Sequence, residues 1–160
     1  MIPFRIGLGY DLHRLVPERK LILGGIEIAH NQGLEGHSDA DCLSHAIADA
    51  ILGAAALPDI GHYFPDTDPK YKDINSQEIL RKSVKAIEAL GFKLVNVDAT
   101  LIAEAPKIAP HLSAMKSVLS KSLGIPAESI GIKATTNETV DAVGQRKAMA
   151  THAIALIYKD

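Results

Sequence analysis

Asp11-Leu12-His13 sets a carboxylate and an imidazole two residues apart, so on a strand both face the same way, close enough to share one ion. Alone, the pattern serves equally as a hydrogen-bonded pair at a strand end. His45 adds a second imidazole on a predicted helix, on the side of Cys42, Asp49 and Leu52; a half-buried histidine with satisfied hydrogen bonds is the plain alternative. If that helix packs across the strand, Asp11, His13 and His45 offer two nitrogens and one oxygen. Such a set is typical of zinc, with a fourth position left for substrate. Thr135-Thr136-Asn137-Glu138 leaves a strand and enters a polar turn. Its hydroxyls and amide suit a phosphate and Glu138 suits Mg2+, a hard ion that prefers oxygen, although an ordinary strand exit reads the same way. Asp59, Asp66 and Asp68 lie in turn sequences, where they are turn formers first and hydroxyl-binding acids second. Gly7-x-Gly9 lacks a third glycine and a following helix, and no Walker A sequence occurs, so these nucleotide cradles are excluded.

The elements that must position these groups are readable from periodicity. Phe4 to Leu12 and Leu21 to Ile28 read as strands, the second bent at Gly24-Gly25, and Ala29 to His37 reads as a polar loop expected to move. Ala40, Leu43, Ile47, Ala50, Ile51 and Ala54 recur at three and four, which predicts a helix from Asp39 to Leu57 with Ser38 as N-cap and Asp41 completing a capping box. Pro58 to Gly61 ends it, and Phe64 to Pro69 is expected as a surface loop. Asn75 to Leu90 predicts a second helix stopped by Gly91, and Pro110 to Leu123 a third stopped by Gly124. Lys93 to Glu104, Ile130 to Thr135 and Met149 to Tyr158 read as strands. No repeat or linker interrupts the order. It predicts one α+β domain over residues 1–160, a single sheet with helices on one face.

At 160 residues and 17.1 kDa, with 47% hydrophobic and 22% charged residues, the chain has apolar surface to bury, which excludes disorder. Seventeen Lys and Arg against nineteen Asp and Glu leave a formal charge of −2, so no basic field draws nucleic acid or anionic lipid. The lack of Trp and 4% aromatics leave few platforms for base stacking. The longest apolar run, Ala50 to Leu57, is eight residues, too short for a bilayer span. Met1 to Gly7 carries neither the basic region nor the apolar run of an export signal, which points to the cytoplasm, or to a plastid if a transit peptide was removed. A single cysteine, Cys42, forms no internal disulfide and no cysteine zinc cluster, and it fits a reducing compartment.

Gly9-Tyr10-Asp11-Leu12-His13, Leu23-Gly24-Gly25, His37-Ser38-Asp39-Ala40-Asp41, His45, Leu52 to Leu57, Asp59-Ile60-Gly61, Phe64 to Pro69 and Lys133 to Glu138 together closely resemble the 2-C-methyl-D-erythritol 2,4-cyclodiphosphate synthase family, in order and spacing over nearly the whole chain. The resemblance implies a homotrimer with active sites between subunits. It implies conversion of 4-diphosphocytidyl-2-C-methyl-D-erythritol 2-phosphate to the cyclic diphosphate and CMP, in non-mevalonate isoprenoid synthesis. Asp11, His13 and His45 become zinc ligands, one ion per site, and Glu138 the protein ligand of one Mg2+ or Mn2+. His37 and Ser38 fall in the flexible loop that reaches phosphates and methylerythritol, and His37 and Thr136 stabilise the transition state. Asp59, Ile60 and Gly61, with Phe64, Pro65, Asp66, Thr67 and Asp68, match the methylerythritol turn. Ala103, Glu104, Ala105, Pro106, Lys107, Ile108 and Ala109 match the cytidine pocket, and Thr135 and Asn137 join the phosphate-side turn. One stretch departs from the pattern. Where many members carry Gly-Phe-x-Gly-Arg-x-Glu-Gly, this chain reads Asp141-Ala142-Val143-Gly144-Gln145-Arg146-Lys147-Ala148. The cavity on the three-fold axis, which holds an isoprenoid diphosphate in some members, thereby loses its Arg and Glu pair, with Arg146 one position along.

Two other functions use the same residues. A zinc hydrolase would send metal-bound water to a phosphate ester; a deaminase would need a Cys-x-x-Cys signature that is absent. A non-enzymatic trimeric binding module would use zinc only as a fastener. Structural zinc normally takes four protein ligands, and the sequence offers three.

Overall fold

The computed structural model describes residues 3–160, so the export-signal reading of Met1 and Ile2 lies outside the described residues. β1 (Phe4–Pro17) runs well past its expected end at Leu12. Its first part pairs with β7 (Ala148–Tyr158) as far as Arg14, and Leu15 to Pro17 pair with β4 (Gln32–Leu34). β4 lies inside the expected loop. A Gly-containing triplet has little strand preference of its own, and the backbone partners offered by β1 supply the reason to extend. The expected bent strand is a hairpin, β2 (Leu21–Leu23) and β3 (Ile26–Ile28), because Gly24 and Gly25 both take positive φ, +57° and +76°, as a tight two-residue turn demands. It forms a second, two-stranded sheet. The main sheet, completed by β5 (Lys93–Ile102) and β6 (Ile130–Thr135), has the order β4-β1-β7-β5-β6, with only β5 and β6 parallel.

α1 (Cys42–Ala54) packs between β1 and β7 below and α3 (Ser76–Glu88) above, so nearly every residue of it is buried. α3 stops at Glu88 with Ala89 as its C-cap, short of the expected Leu90 end, and Gly91 at positive φ belongs to the turn that follows; α4 (Leu112–Leu123), packed on α3, ends in Gly124 at positive φ, as the sequence predicts. Two helical turns are unforeseen, α2 (Ile60–Tyr63) after the Asp59 cap and α5 (Asp141–Gly144), both too short to show a period. No helix among the described residues is long and apolar enough to cross a membrane.

α1 begins at Cys42, capped by Asp41, and neither at Asp39 nor under a Ser38 cap. Ala40 stands at φ +56°, two residues after Ser38, which breaks the helical path inside the first turn that a Ser38 cap would need. Asp41 is fully buried. Its Oδ1 accepts from the Gly24 and Ser44 amides at 2.9 and 3.0 Å, and its Oδ2 from the Gly25 amide and the Ser44 hydroxyl at 2.8 and 2.7 Å. Burial and the nearby Asp39 charge push its pKa up, while the bonds from Ser44 and Gly24 pull against them. One side chain thus caps α1 and fastens the hairpin to it. Asp41→Ala strands these donors at a cost of about 3 kcal/mol, since each buried unpaired group costs ~1–3 kcal/mol. For a domain of this size that lowers Tm by roughly 10 °C, measurable by thermal unfolding; an unchanged Tm rejects the role.

Alternation along β1 turns Gly7, Gly9, Asp11 and His13 toward α1. It turns Ile6, Leu8, Tyr10 and Leu12 outward, where Ile6 and Leu8 are 72% and 68% exposed and Ile154 of the neighbouring strand is half exposed. Glycine is required on the inner side. A Cβ at Gly9 would sit 1.9 Å from the Ala46 carbonyl oxygen, and one at Gly7 2.1 Å from that of Ala50. Ala46, Ala50 and Ala54, one turn apart, complete the contact, so helix and strand backbones nearly touch. The glycine pair that fails as a nucleotide fingerprint is a packing device.

Candidate metal centre

The close approach of α1 to β1 carries His45 over Asp11 and His13. Asp11 Oδ2 lies 2.9 Å from His13 Nε2 and 3.1 Å from His45 Nδ1, and the two imidazole nitrogens are 3.3 Å apart. One donor atom from each residue falls within 4.8 Å of the others, the geometry of a shared ion. The outer ring nitrogens are tied down. His13 Nδ1 donates to the Glu35 carbonyl at 2.6 Å, beside β4, and His45 Nε2 lies 2.8 Å from the Ser76 hydroxyl. Burial opposes the charge on Asp11, yet the hydrogen bonds and positive charge of His13 and His45 overcome it and bring its pKa down to about 2. Burial also works against protonation of His13, and the Asp11 carboxylate and Glu35 carbonyl outweigh it, raising the pKa. An anionic oxygen between two oriented imidazoles fits a divalent cation.

The triad lines a cleft of about 470 Å³ together with His37, Ser38, Ile60, Gly61, Phe64, Pro65 and Asp66. Asp59 caps α2, accepting from the His62 amide, and Asp68 caps the turn at Pro69–Tyr71 and lends its carbonyl to His37 Nε2 at 3.3 Å. Thr67 is exposed in the same turn. Asp49, one helical turn beyond His45, accepts from the Ile60 amide at 2.9 Å and holds α2 against α1; the sequence marks it only as a polar neighbour of the apolar stripe. The His37–Ser38 loop is pinned by the Arg19 guanidinium on the Ser38 carbonyl and by the Asp73 amide on that of His37 at 2.8 Å. Tyr71, Ile74 and Ile79, which line the cleft, and Arg19 and Ser76, which hydrogen-bond to residues that do, are ones the sequence does not single out, because nothing in their local spacing distinguishes them.

The remaining predicted residues gather elsewhere. Ala103 N donates to the Thr135 carbonyl at 3.0 Å and Asn137 N to Glu104 Oε1 at 2.8 Å, which joins the Ala103–Ala109 segment to the Thr135–Glu138 turn. Ala105, Pro106 and Lys107 lie on this segment, Ile108 is its buried anchor, and the Thr136 hydroxyl accepts from Glu138 N at 3.3 Å. Glu138 is exposed, with φ +51°. This second cluster lies along the row Leu12, Ala150, Ile102, Thr135, level with the triad yet three strand spacings away, about 14 Å at ~4.8 Å per strand. The chain therefore brings the predicted site together as two halves and does not join them. In the departing stretch, Ala142, Arg146 and Lys147 border a hollow beside Arg14, and Gly144 is needed because a Cβ there would lie 2.5 Å from the Thr139 backbone.

An α+β sheet whose edge region and buried helix deliver one carboxylate and two imidazoles to an open cleft belongs to the class of metal-dependent enzymes. The chain belongs to the YgbB family, whose model matches residues 4–158. It is 54% identical over 155 residues to a 2-C-methyl-D-erythritol 2,4-cyclodiphosphate synthase of Chloroherpeton thalassium, covering 97% of this chain and 99% of the relative. It is 51% identical to that of Cupriavidus metallidurans over 99% of this chain and 96% of the relative. The fold matches the bifunctional IspDF of Campylobacter jejuni with TM-score 0.94 and 38% identity, covering 98% of this chain and 42% of the longer one. It matches a CDP complex of Plasmodium falciparum IspF with TM-score 0.87 and 34% identity, over 100% of this chain and 99% of the other.

Proposed function

We propose that the protein is a 2-C-methyl-D-erythritol 2,4-cyclodiphosphate synthase, releasing CMP as it closes the cyclic diphosphate in isoprenoid biosynthesis. One observation carries this reading: the convergence of Asp11, His13 and His45 at a cleft, in a chain that matches synthases of that name from end to end. The substrate's 2-phosphate oxygen attacks the β-phosphorus, a new P–O bond forms, and the bond to CMP breaks with its electron pair leaving on CMP. No water enters, so atoms balance without hydrolysis. Nor is a protein nucleophile needed, in keeping with Cys42, whose thiol is buried and driven up in pKa by burial. When bound, a Zn2+ at the triad and a Mg2+ or Mn2+ at Glu138 offset the repulsion between phosphates and make the phosphorus more electrophilic. The chain supplies position. His37, Ser38 and Thr136 hold phosphate oxygens, the Asp59 to Asp68 turns hold the methylerythritol, and Ala103 to Ala109 hold the cytidine, so that the flexible polyanion is folded before it reacts. An acidic protein can hold an anion this way because the field is local.

The two half-sites support a homotrimer in which one subunit's triad meets its neighbour's Glu138 turn. The apolar outward face of β1 supports it too, since Phe4, Ile6, Leu8, Tyr10, Leu12 and Ile154 present a continuous hydrophobic patch. Leu8→Glu places a charge in that patch and is expected to convert the assembly to monomers with less than about one hundredth of the activity, as ~2–3 kcal/mol or more of burial is lost at each interface. Light scattering reads the mass, and an active assembly of unchanged mass rejects the arrangement. Glu138→Gln keeps the shape and removes the charge, so about tenfold more Mg2+ is needed for half-maximal rate, in line with the loss of one charged ligand. A titration that overlays the unchanged protein rejects the assignment.

Purified protein given the cytidine substrate and Mg2+ is expected to yield CMP and cyclic diphosphate in equal amounts, followed by phosphorus NMR. Inorganic phosphate or a linear product would establish the hydrolase instead. A bound metal with four protein ligands and no turnover would establish the binding module.

A further inference from the structure

The triad is served by a polar chain that begins outside it. His45 is buried, and its Nε2 lies 2.8 Å from Ser76 Oγ, the first residue of α3. Ser76 is fully buried, so its single hydroxyl proton must be placed inside the protein. That proton goes to Asp39 Oδ1 in a short contact, while the Ser76 amide donates to Asp39 Oδ2 at 2.9 Å. Asp39 Oδ1 also accepts from the Asp41 amide at 3.2 Å, so the carboxylate is held from two elements.

We infer that Asp39 and Ser76 are positioning residues that set the tautomer of His45. A carboxylate accepts only, so Ser76 Oγ spends its proton on Asp39 and faces His45 with a lone pair. Ser76 therefore draws the His45 proton to Nε2, in competition with the Asp11 carboxylate that faces Nδ1 at 3.1 Å. Ser38 Oγ, at 3.3 Å from the same nitrogen, already accepts from the Ala40 amide at 3.0 Å and offers a second acceptor for that proton. A proton held on Nε2 frees Nδ1, which faces Asp11 Oδ2 and His13 Nε2, to offer its lone pair to a cation at the point where the three donor atoms converge. The packing has the same effect on orientation. Ser76 opens α3, Asp39 precedes α1, and the two helices pack on one another, so the Nε2 edge of the His45 ring is held where they meet. Partners of this kind on a ligating histidine fix ring direction and raise ligand strength, and their loss typically weakens metal binding 10- to 100-fold.

The inference rests on the metal site proposed above and adds residues that do not touch the ion. Two variants test it. Ser76→Ala removes the acceptor, and Asp39→Asn reverses the chain, because an amide can donate to Ser76 Oγ and turn the hydroxyl proton toward His45. Zn2+ itself is the probe, measured by competition with a chromophoric chelator on metal-stripped protein, and 15N histidine spectra read the tautomer without metal. Both variants are expected to bind Zn2+ about 10- to 100-fold more weakly. The share of His45 that carries its proton on Nε2 should be highest in the unchanged protein, lower in Ser76→Ala and lowest in Asp39→Asn, where the signal moves toward Nδ1–H. Circular dichroism shows which variants are folded; if Ser76→Ala is not, the near-isosteric Asp39→Asn decides. Zn2+ affinity within twofold of the unchanged protein, or weaker affinity with the Nε2–H form retained, overturns the inference. Failure of the unchanged protein to bind Zn2+ removes the metal site itself, a result distinct from both.

Discussion

Asp11→Asn abolishes CMP release, on the order of 1,000-fold or more, and leaves the fold in place. The substitution preserves shape and removes the one negative charge between two imidazoles. A cation worth several kcal/mol of charge stabilisation is then lost or misplaced, and at about 1.4 kcal/mol per factor of ten that loss exceeds three decades. Nothing in the apolar core depends on the carboxylate, because Asp11 lines the cleft and takes no part in the buried apolar cluster. His45→Ala should do the same to activity, though it also opens a space beside Ser76. The decisive measurement combines a CMP assay with bound-metal content and thermal unfolding. Turnover within a few-fold of the unchanged protein, with Asp11 replaced, would refute the metal role of the triad.

Gly9→Val is expected to destabilise the protein by at least about 3 kcal/mol, at the upper end of what overpacking costs, because backbone rather than a flexible side chain stands in the way. The first added carbon alone would meet the Ala46 carbonyl oxygen at 1.9 Å and the Ala50 amide nitrogen at 2.7 Å. α1 has no empty space to retreat into, with α3 packed on its other side. Metal affinity should fall with stability, because His45 rides on the displaced helix one residue before Ala46. Gly53→Ala is the control, since its Cβ would find only the Leu8 carbonyl oxygen, at 3.8 Å, and a helical glycine replaced by alanine gains up to ~1 kcal/mol. Thermal unfolding separates the two. Equal Tm for Gly9→Val and the unchanged protein would mean that the strand and helix are not in backbone contact.

Most helices and the long strands were legible because their signals are local. The apolar periods of α1 and α3, the glycine stop of α4, and the apolar β6 and β7 need only a few turns of chain to show themselves. The start of α1 is set by tertiary contacts. Ser38 has the right type for a cap, but Asp41 has four donors to satisfy from the hairpin and from α1, and Ala40 takes the left-handed turn that lets it reach them. β4 has no local signal because it exists only by pairing with the far end of β1.

The identity of the three side chains of the triad is written in the sequence, since alternation on a strand and the face of a helix decide which way Asp11, His13 and His45 point. Their meeting at one place was not. It depends on how near α1 comes to β1, a distance set by two glycines against three alanines that are some forty residues away along the chain. The separation of the triad from the Glu138 turn likewise comes from strand order alone. Residues adjacent in a motif list end up three strands apart, because hydrogen-bonded pairing sums over the whole sheet and no local propensity encodes that sum.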